Sequence, residues 1–130
     1  MIKGINHVAI VVPDLVEGQR FWVEALGLPV DHIAHVPEEG VKVAFLAAGG
    51  VEIELLQPLD EASGVAKFLQ KRGPGIHHIC LEVENIAEMM GRLRDAGIQL
   101  LNETPRTNPD GRQYAFVHPK SAGGVLVELY

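Results

Sequence analysis

The amino-acid sequence predicts an α+β fold in which two fused βαβββ modules form a curved mixed sheet around a cleft, and three observations carry that prediction. Residues 4–12 return as residues 75–83, so that His7 and His78 fall at the same place in the two copies. Residues 49–55 return as residues 123–129, which matches Glu54 with Glu128. Each copy also places one stretch of helical period between its first strand-like run and the runs that follow, the order of a duplicated unit that buries apolar faces against its twin.

Each element has a local cause. Residues 4–12 are an apolar strand ended by Pro13 and Asp14, since Pro13 cannot extend a ladder and Asp14 can cap a helix. A helix over residues 15–26 follows, with Val16, Phe21, Trp22, Ala25 and Leu26 at three- and four-residue spacing and Gly27 as its stop. Strands near 28–36, 41–48 and 51–57 come next, separated by the turn-forming Pro37-Glu38-Glu39-Gly40 and Gly49-Gly50. Residues 60–73 hold Val65, Phe68 and Leu69 at helical spacing and form a linking helix. The second copy repeats the order: a strand at 75–83, a helix at 86–96 entered at Asn85 and ended at Gly97, and strands near 98–103, 112–118 and 124–129. With no break in composition, the 130 residues make one domain: module one at 4–58, the linker, and module two at 75–130.

Composition limits the functional classes. A chain with 47% hydrophobic and 22% charged residues is that of a globular protein able to bury a core. No apolar run approaches the roughly 18 residues of a membrane span, and Met1-Ile2-Lys3 leads into a strand without a signal-peptide core, so a cytoplasmic chain is expected. The net charge of −6 and the lack of a long basic stripe argue against nucleic acid as partner. The single cysteine, Cys80, cannot form an internal disulfide and is expected to be a small core residue.

Strand alternation sets His7 with Ala9 and Val11, and His78 with Cys80 and Glu82, on the face turned away from each module's helix. Glu54 and Glu128 share that face. Two histidines and two glutamates near mid-strand form a nitrogen and oxygen ligand set for a divalent ion, which offsets the cost of placing carboxylates there. His77 competes with His78, but the repeat pairs His7 with His78, and His77 points to the other face.

These stretches, with the doubled histidine 77–78, the linker residues 65–69 and the turn at His118-Pro119-Lys120, make the chain resemble the vicinal oxygen chelate superfamily and, within it, the methylmalonyl-CoA epimerases. Glyoxalase I and the fosfomycin-resistance proteins resemble it mainly at the ligand strands. The resemblance implies the paired βαβββ fold, a homodimer, and one divalent metal per chain, cobalt first with manganese, nickel or zinc as alternatives, held by His7, Glu54, His78 and Glu128. It also implies an acyl-CoA substrate, interconversion of (R)- and (S)-methylmalonyl-CoA, and Glu128 as catalytic base. The chemistry agrees: a metal chelating the thioester oxygen and the carboxylate stabilises the enolate left by loss of the C2 proton.

An epimerase must serve both faces of C2. The second acid of some relatives falls at Val43, which carries no proton, so Glu39, a metal-bound water or another cleft residue must replace it. The loop Thr107-Asn108-Pro109-Asp110-Gly111 also departs from the glycine-richer loop of relatives. Gln57, Lys120, Arg106 and Arg112 are candidate substrate contacts; His118 is expected to orient its turn, Phe21 and Trp22 to sit in the core, and His32 and His35 to be exposed or on the cleft rim. Alternative functions on the same fold are a glyoxalase-I-like isomerase, a dioxygenase, or a non-enzymatic ligand-binding or resistance protein. A complete four-ligand set favours the isomerases.

Overall fold

The computed structural model describes residues 1–130, which divide into two compact units, His7–His77 and Met1–Asn6 with His78–Tyr130. The first unit contains β1 from His7 onward (β1 spans Ile2–Val11), α1 (Leu15–Gln19), β2 (Val30–Val36), β3 (Val41–Ala48), β4 (Val51–Pro58) and α2 (Gly64–Arg72). Its strands lie in the order β2-β3-β4-β1, antiparallel except for the parallel pair β1 and β4. This is the predicted βαβββ order followed by the linking helix.

Alternation along these strands produces two distinct apolar layers. Ile10, Val12, Ala44, Leu46 and Leu55 pack with Leu15, Trp22 and Val23 on the side covered by α1. Ala9, Val11, Val41, Val43 and Leu56 pack with Val65, Phe68 and Leu69 of α2 on the other. Asp14 caps α1 by accepting from the Val16 backbone N–H at 2.7 Å, and Ser63 caps α2 by accepting from Ala66 at 3.1 Å.

The second unit contains β5 (Gly75–Val83) from His78 onward, α3 (Ile86–Asp95), β6 (Arg106–Thr107), β7 (Gln113–Val117) and β8 (Val127–Leu129), in the order β5-β8-β7-β6 with β5 and β8 parallel. Val83, Ala115, Val117 and Leu129 pack under Ile86 and Met90 of α3. The N-terminal residues attach here, where the Glu84 backbone N–H donates to the Met1 carbonyl at 3.0 Å. No helix is long and apolar enough to cross a membrane.

Two expectations are corrected. The helix over 15–26 is α-helical only to Gln19 and continues as a π-helix over Arg20–Ala25, with Leu26 N–H donating to Phe21 O at 2.8 Å. The wider turn shifts the apolar stripe, so Trp22 and Val23 pack inward while Phe21 and Leu26 are exposed, and Val16, on the α-helical turn before it, is exposed as well. Phe21 is therefore not a core residue. The strand expected at 98–103 reduces to a single bridge between Leu100 and Val117. Its continuation is replaced by the Asn102 side chain, which accepts from the Phe116 backbone N–H at 2.9 Å in place of a ladder partner.

Gly40 closes the turn between β2 and β3 at φ 68°, and a Cβ there would approach Ser63 Cβ to 2.8 Å. Gly27 also has positive φ, at 88°, but faces open space. In urea denaturation Gly27→Ala is expected to cost about 1–2 kcal/mol from backbone strain alone, and Gly40→Ala more because the Ser63 cap must also move. Equal losses would show that the close approach is relieved without cost.

Candidate metal centre

Each unit holds one histidine–glutamate pair, and register explains both. In the first unit β1 and β4 run parallel with Ala9 opposite Glu54 and His7 opposite Glu52, so His7 and Glu54 are diagonal neighbours on one face. His7 Nδ1 lies 3.1 Å from Glu54 Oε2, with the side chains 9% and 14% exposed. In the second unit Glu128 lies between Cys80 of β5 and Phe116 of β7. His78 Nε2 lies 3.0 Å from Glu128 Oε1, with the side chains 9% and 12% exposed. The Phe116 ring meets His78 edge-on, with ring centres 5.7 Å apart.

The donor chemistry and spacing of each pair fit a divalent ion. Two ligands at adjacent corners of an octahedral ion, each bonded at about 2.1 Å, stand about 3 Å apart. Both pairs have that separation, 3.1 and 3.0 Å, which is also that of a directly hydrogen-bonded ion pair, and each joins an imidazole nitrogen to a carboxylate oxygen. Their burial favours such an ion, because a carboxylate out of water needs a nearby positive charge or hydrogen-bond donors. His78 is the histidine paired with Glu128, whereas the His77 ring packs edge-on to Phe68 of α2 at 5.1 Å between centres.

The remaining candidates occupy diverse settings. Val43 is buried in the apolar layer under α2, and Glu39 ends an exposed 3-10 turn over Pro37–Glu39. Gln57 accepts through Oε1 from the Leu15 backbone N–H at 2.8 Å, which ties β4 to the start of α1. His118 accepts from the Lys120 backbone N–H at 3.0 Å and shapes the turn, while the side chains of Lys120 and Arg106 are exposed. Asn108 closes the loop at 107–111, accepting through Oδ1 from the Arg112 backbone N–H at 2.9 Å.

The sequence reading missed the cluster around Arg112. Its guanidinium lies 3.1 Å from Glu82 Oε1 and 3.9 Å from the centre of the Tyr130 ring, and Lys3 Nζ lies 3.5 Å from the same carboxylate oxygen. The hydrogen bond from Arg112, then one from Asn6, hold the Glu82 carboxyl below its ordinary range, with the charges of Arg112 and Lys3 adding to the effect. Glu82 and Tyr130 lie on the face of His78 and Glu128, and alternation alone would have placed them there. The partner of Arg112 could not be inferred, because it comes from a distant loop.

Comparison with known proteins matches this chain and its fold to a superfamily. Residues 6–116 match the Glyoxalase/Bleomycin resistance protein/Dioxygenase superfamily. The chain is 44% identical to the human mitochondrial methylmalonyl-CoA epimerase over 96% of its own length and 72% of the human protein. It is also 44% identical to an ethylmalonyl-CoA/methylmalonyl-CoA epimerase of Cereibacter sphaeroides, over 99% of this chain and 98% of that one. A solved methylmalonyl-CoA epimerase in complex with methylmalonyl-CoA and NH4+ superposes with a TM-score of 0.90 at 33% identity, covering 99% of this chain and 94% of that one. The chain belongs to the methylmalonyl-CoA epimerase family of the glyoxalase, or vicinal oxygen chelate, superfamily, and is an isomerase.

Two measurements follow from this geometry. Elemental analysis of purified variants is expected to find metal lost from His78→Ala and retained in His77→Ala, and the reverse pattern would exchange the two residues' roles. The lowered Glu82 carboxyl binds fewer protons folded than unfolded, so its stabilisation is present above the unfolded value of about 4.3 and is lost as pH falls through the folded value. Arg112→Ala removes the largest cause of the shift, and acid unfolding followed by circular dichroism should begin at a higher pH. An unchanged profile would mean that the contact contributes nothing to acid stability.

Proposed function

We propose that this chain interconverts (R)- and (S)-methylmalonyl-CoA, using one divalent metal held by His7, Glu54, His78 and Glu128, with Glu128 also acting as a base. The observation that carries the reading is the pair of buried histidine–glutamate contacts, repeated in duplicated sequence at the separation of adjacent metal ligands. The names of the human and Cereibacter sphaeroides relatives support the substrate class, as does methylmalonyl-CoA in the related solved structure. The proposal includes cobalt as the preferred ion and a cytoplasmic homodimer.

When bound, the ion would supply Lewis-acid chemistry, offsetting negative charge that develops on the substrate's thioester oxygen. The protein residues divide the rest. His7, His78 and Glu54 are assigned to holding the ion. Glu128 takes the proton from C2 as the electrons of the C–H bond move into the enolate, or returns a proton to the same face in the reverse direction. Val43 and its apolar neighbours offer no second acid, so the other face of C2 must be served from elsewhere.

Proton–deuterium exchange at C2 of methylmalonyl-CoA in heavy water, with and without chelator, tests the reading. Exchange should stop with metal removal and return better with cobalt or manganese than with magnesium, because imidazole ligands disfavour a hard oxygen-seeking ion. Equal rescue by magnesium would contradict the ligand set. Among metal-loaded variants, Glu128→Gln is expected to slow exchange by about 100-fold or more and Glu54→Gln much less, since an amide oxygen can coordinate but cannot take the proton. Similar rates in the two variants would move the base away from Glu128.

A further inference from the structure

We propose that the second unit carries, on the face of His78 and Glu128, a seat for the phosphate-bearing end of an acyl-CoA thioester, with Arg112 and Lys3 as its anion contacts; this rests on the epimerase reading above. The duplication shows where the two units diverge. In the first unit Val11, Val41, Val43 and Leu56 pack on the ligand face with Val65 and Phe68 of α2. The offset that matches His7 with His78 matches Val11 with Glu82, and the offset that matches Glu54 with Glu128 matches Leu56 with Tyr130. Phe45 stands opposite Glu54 as Phe116 stands opposite Glu128, so Val41 and Val43 of β3 correspond to Arg112 and Tyr114 at the entry to β7. What is an apolar seat for a helix in the first unit is polar in the second.

These polar counterparts meet one another and leave a pocket. Arg112 lies over the Tyr130 ring and against Glu82 Oε1, the oxygen that Lys3 Nζ also approaches. Beside them opens a pocket of about 660 Å³ lined by Lys3, Glu82, Asn85, Gly111, Arg112 and Tyr130 among others, all within the second unit. Two cations on one carboxylate leave about one positive charge in excess. Glu84, also on the lining, turns to the Met1 ammonium at 3.9 Å. The Arg112 and Lys3 side chains are 43% and 54% exposed, and a guanidinium and an ammonium each carry more donors than Glu82 engages. Glu82 thereby positions the two cations, and their spare donors suit the several oxygens of a phosphate.

Distance from the reacting centre fits the same ligand. His78, Cys80 and Glu82 alternate along one face of β5. Tyr130 continues the face of Glu128, its backbone N–H donating to the Leu81 carbonyl at 3.0 Å. The strand from His78 to Glu82 spans about 13 Å. The pantetheine arm of coenzyme A, fully extended, exceeds that length, so a thioester held at His78 and Glu128 brings its phosphates within reach of Arg112 and Lys3. No bond is made or broken at this seat. It supplies binding energy remote from C2, and its loss should appear in KM more than in kcat.

Thioesters that differ only in the nucleotide separate this seat from the chemistry. Epimerisation of methylmalonyl-CoA or methylmalonyl-pantetheine by the wild-type protein supports the epimerase reading, and failure on both overturns that reading alone. The seat is read independently by calorimetry with propionyl-CoA and propionyl-pantetheine, neither of which carries the carboxylate. Wild type is expected to bind propionyl-CoA about 100-fold more tightly than propionyl-pantetheine, a preference that should fall to about 10-fold in Arg112→Ala and about 30-fold in Lys3→Ala. Where epimerisation is observed, KM for the two methylmalonyl thioesters should follow the same ratios. Wild type without a preference for the CoA thioester, or the full preference kept in both variants, would overturn the seat. Affinity for both thioesters lost alike in Arg112→Ala would make that residue a strut for its loop and would overturn it too.

Discussion

A carboxylate set at mid-strand inside a folded protein must find a positive charge or a set of donors, and this chain meets that demand twice with a histidine beside it. His7–Glu54 and His78–Glu128 are each largely buried and each about 3 Å apart. Because the pairs come from duplicated strands, substituting any one residue leaves its partner in an environment built for two. The rest of the architecture can be understood as what keeps those side chains on the intended face.

Packing on the opposite side performs that task. In the first unit α1 and the π-helical segment cover Ile10, Val12, Leu46 and Leu55; in the second α3 covers Val83, Ala115, Val117 and Leu129. A one-residue slip in any of these strands would turn apolar groups to the polar face and carboxylates into the core, which pins the register. In the first unit the ligand face also carries an apolar cluster, in which Val43 and Leu56 pack with Val65 of α2 and with Phe45. This packing is why Val43 serves the core rather than the chemistry.

Much of this was legible because the sequence states it twice. The repeat fixed which histidine and which glutamate to compare, and period-two alternation assigned Glu54 and Glu128 to the histidine face. What could not be read depended on contacts without a periodic signature. The π-helical turn adds a residue that no hydrophobic pattern announces, and it exposed Phe21 and Leu26. Asn102 replaced a strand by bonding to Phe116, and Gln57, a candidate for substrate, bonds to Leu15.

The central claim is that the two pairs serve a single ion. Titration of metal-free protein with cobalt, followed by its visible absorption and by elemental analysis after desalting, tests that claim most directly. The account predicts saturation at one ion per chain, with tight binding abolished when either pair is replaced by alanine at both positions. Saturation at two ions per chain, or one pair retaining tight binding after the other is replaced, would contradict it.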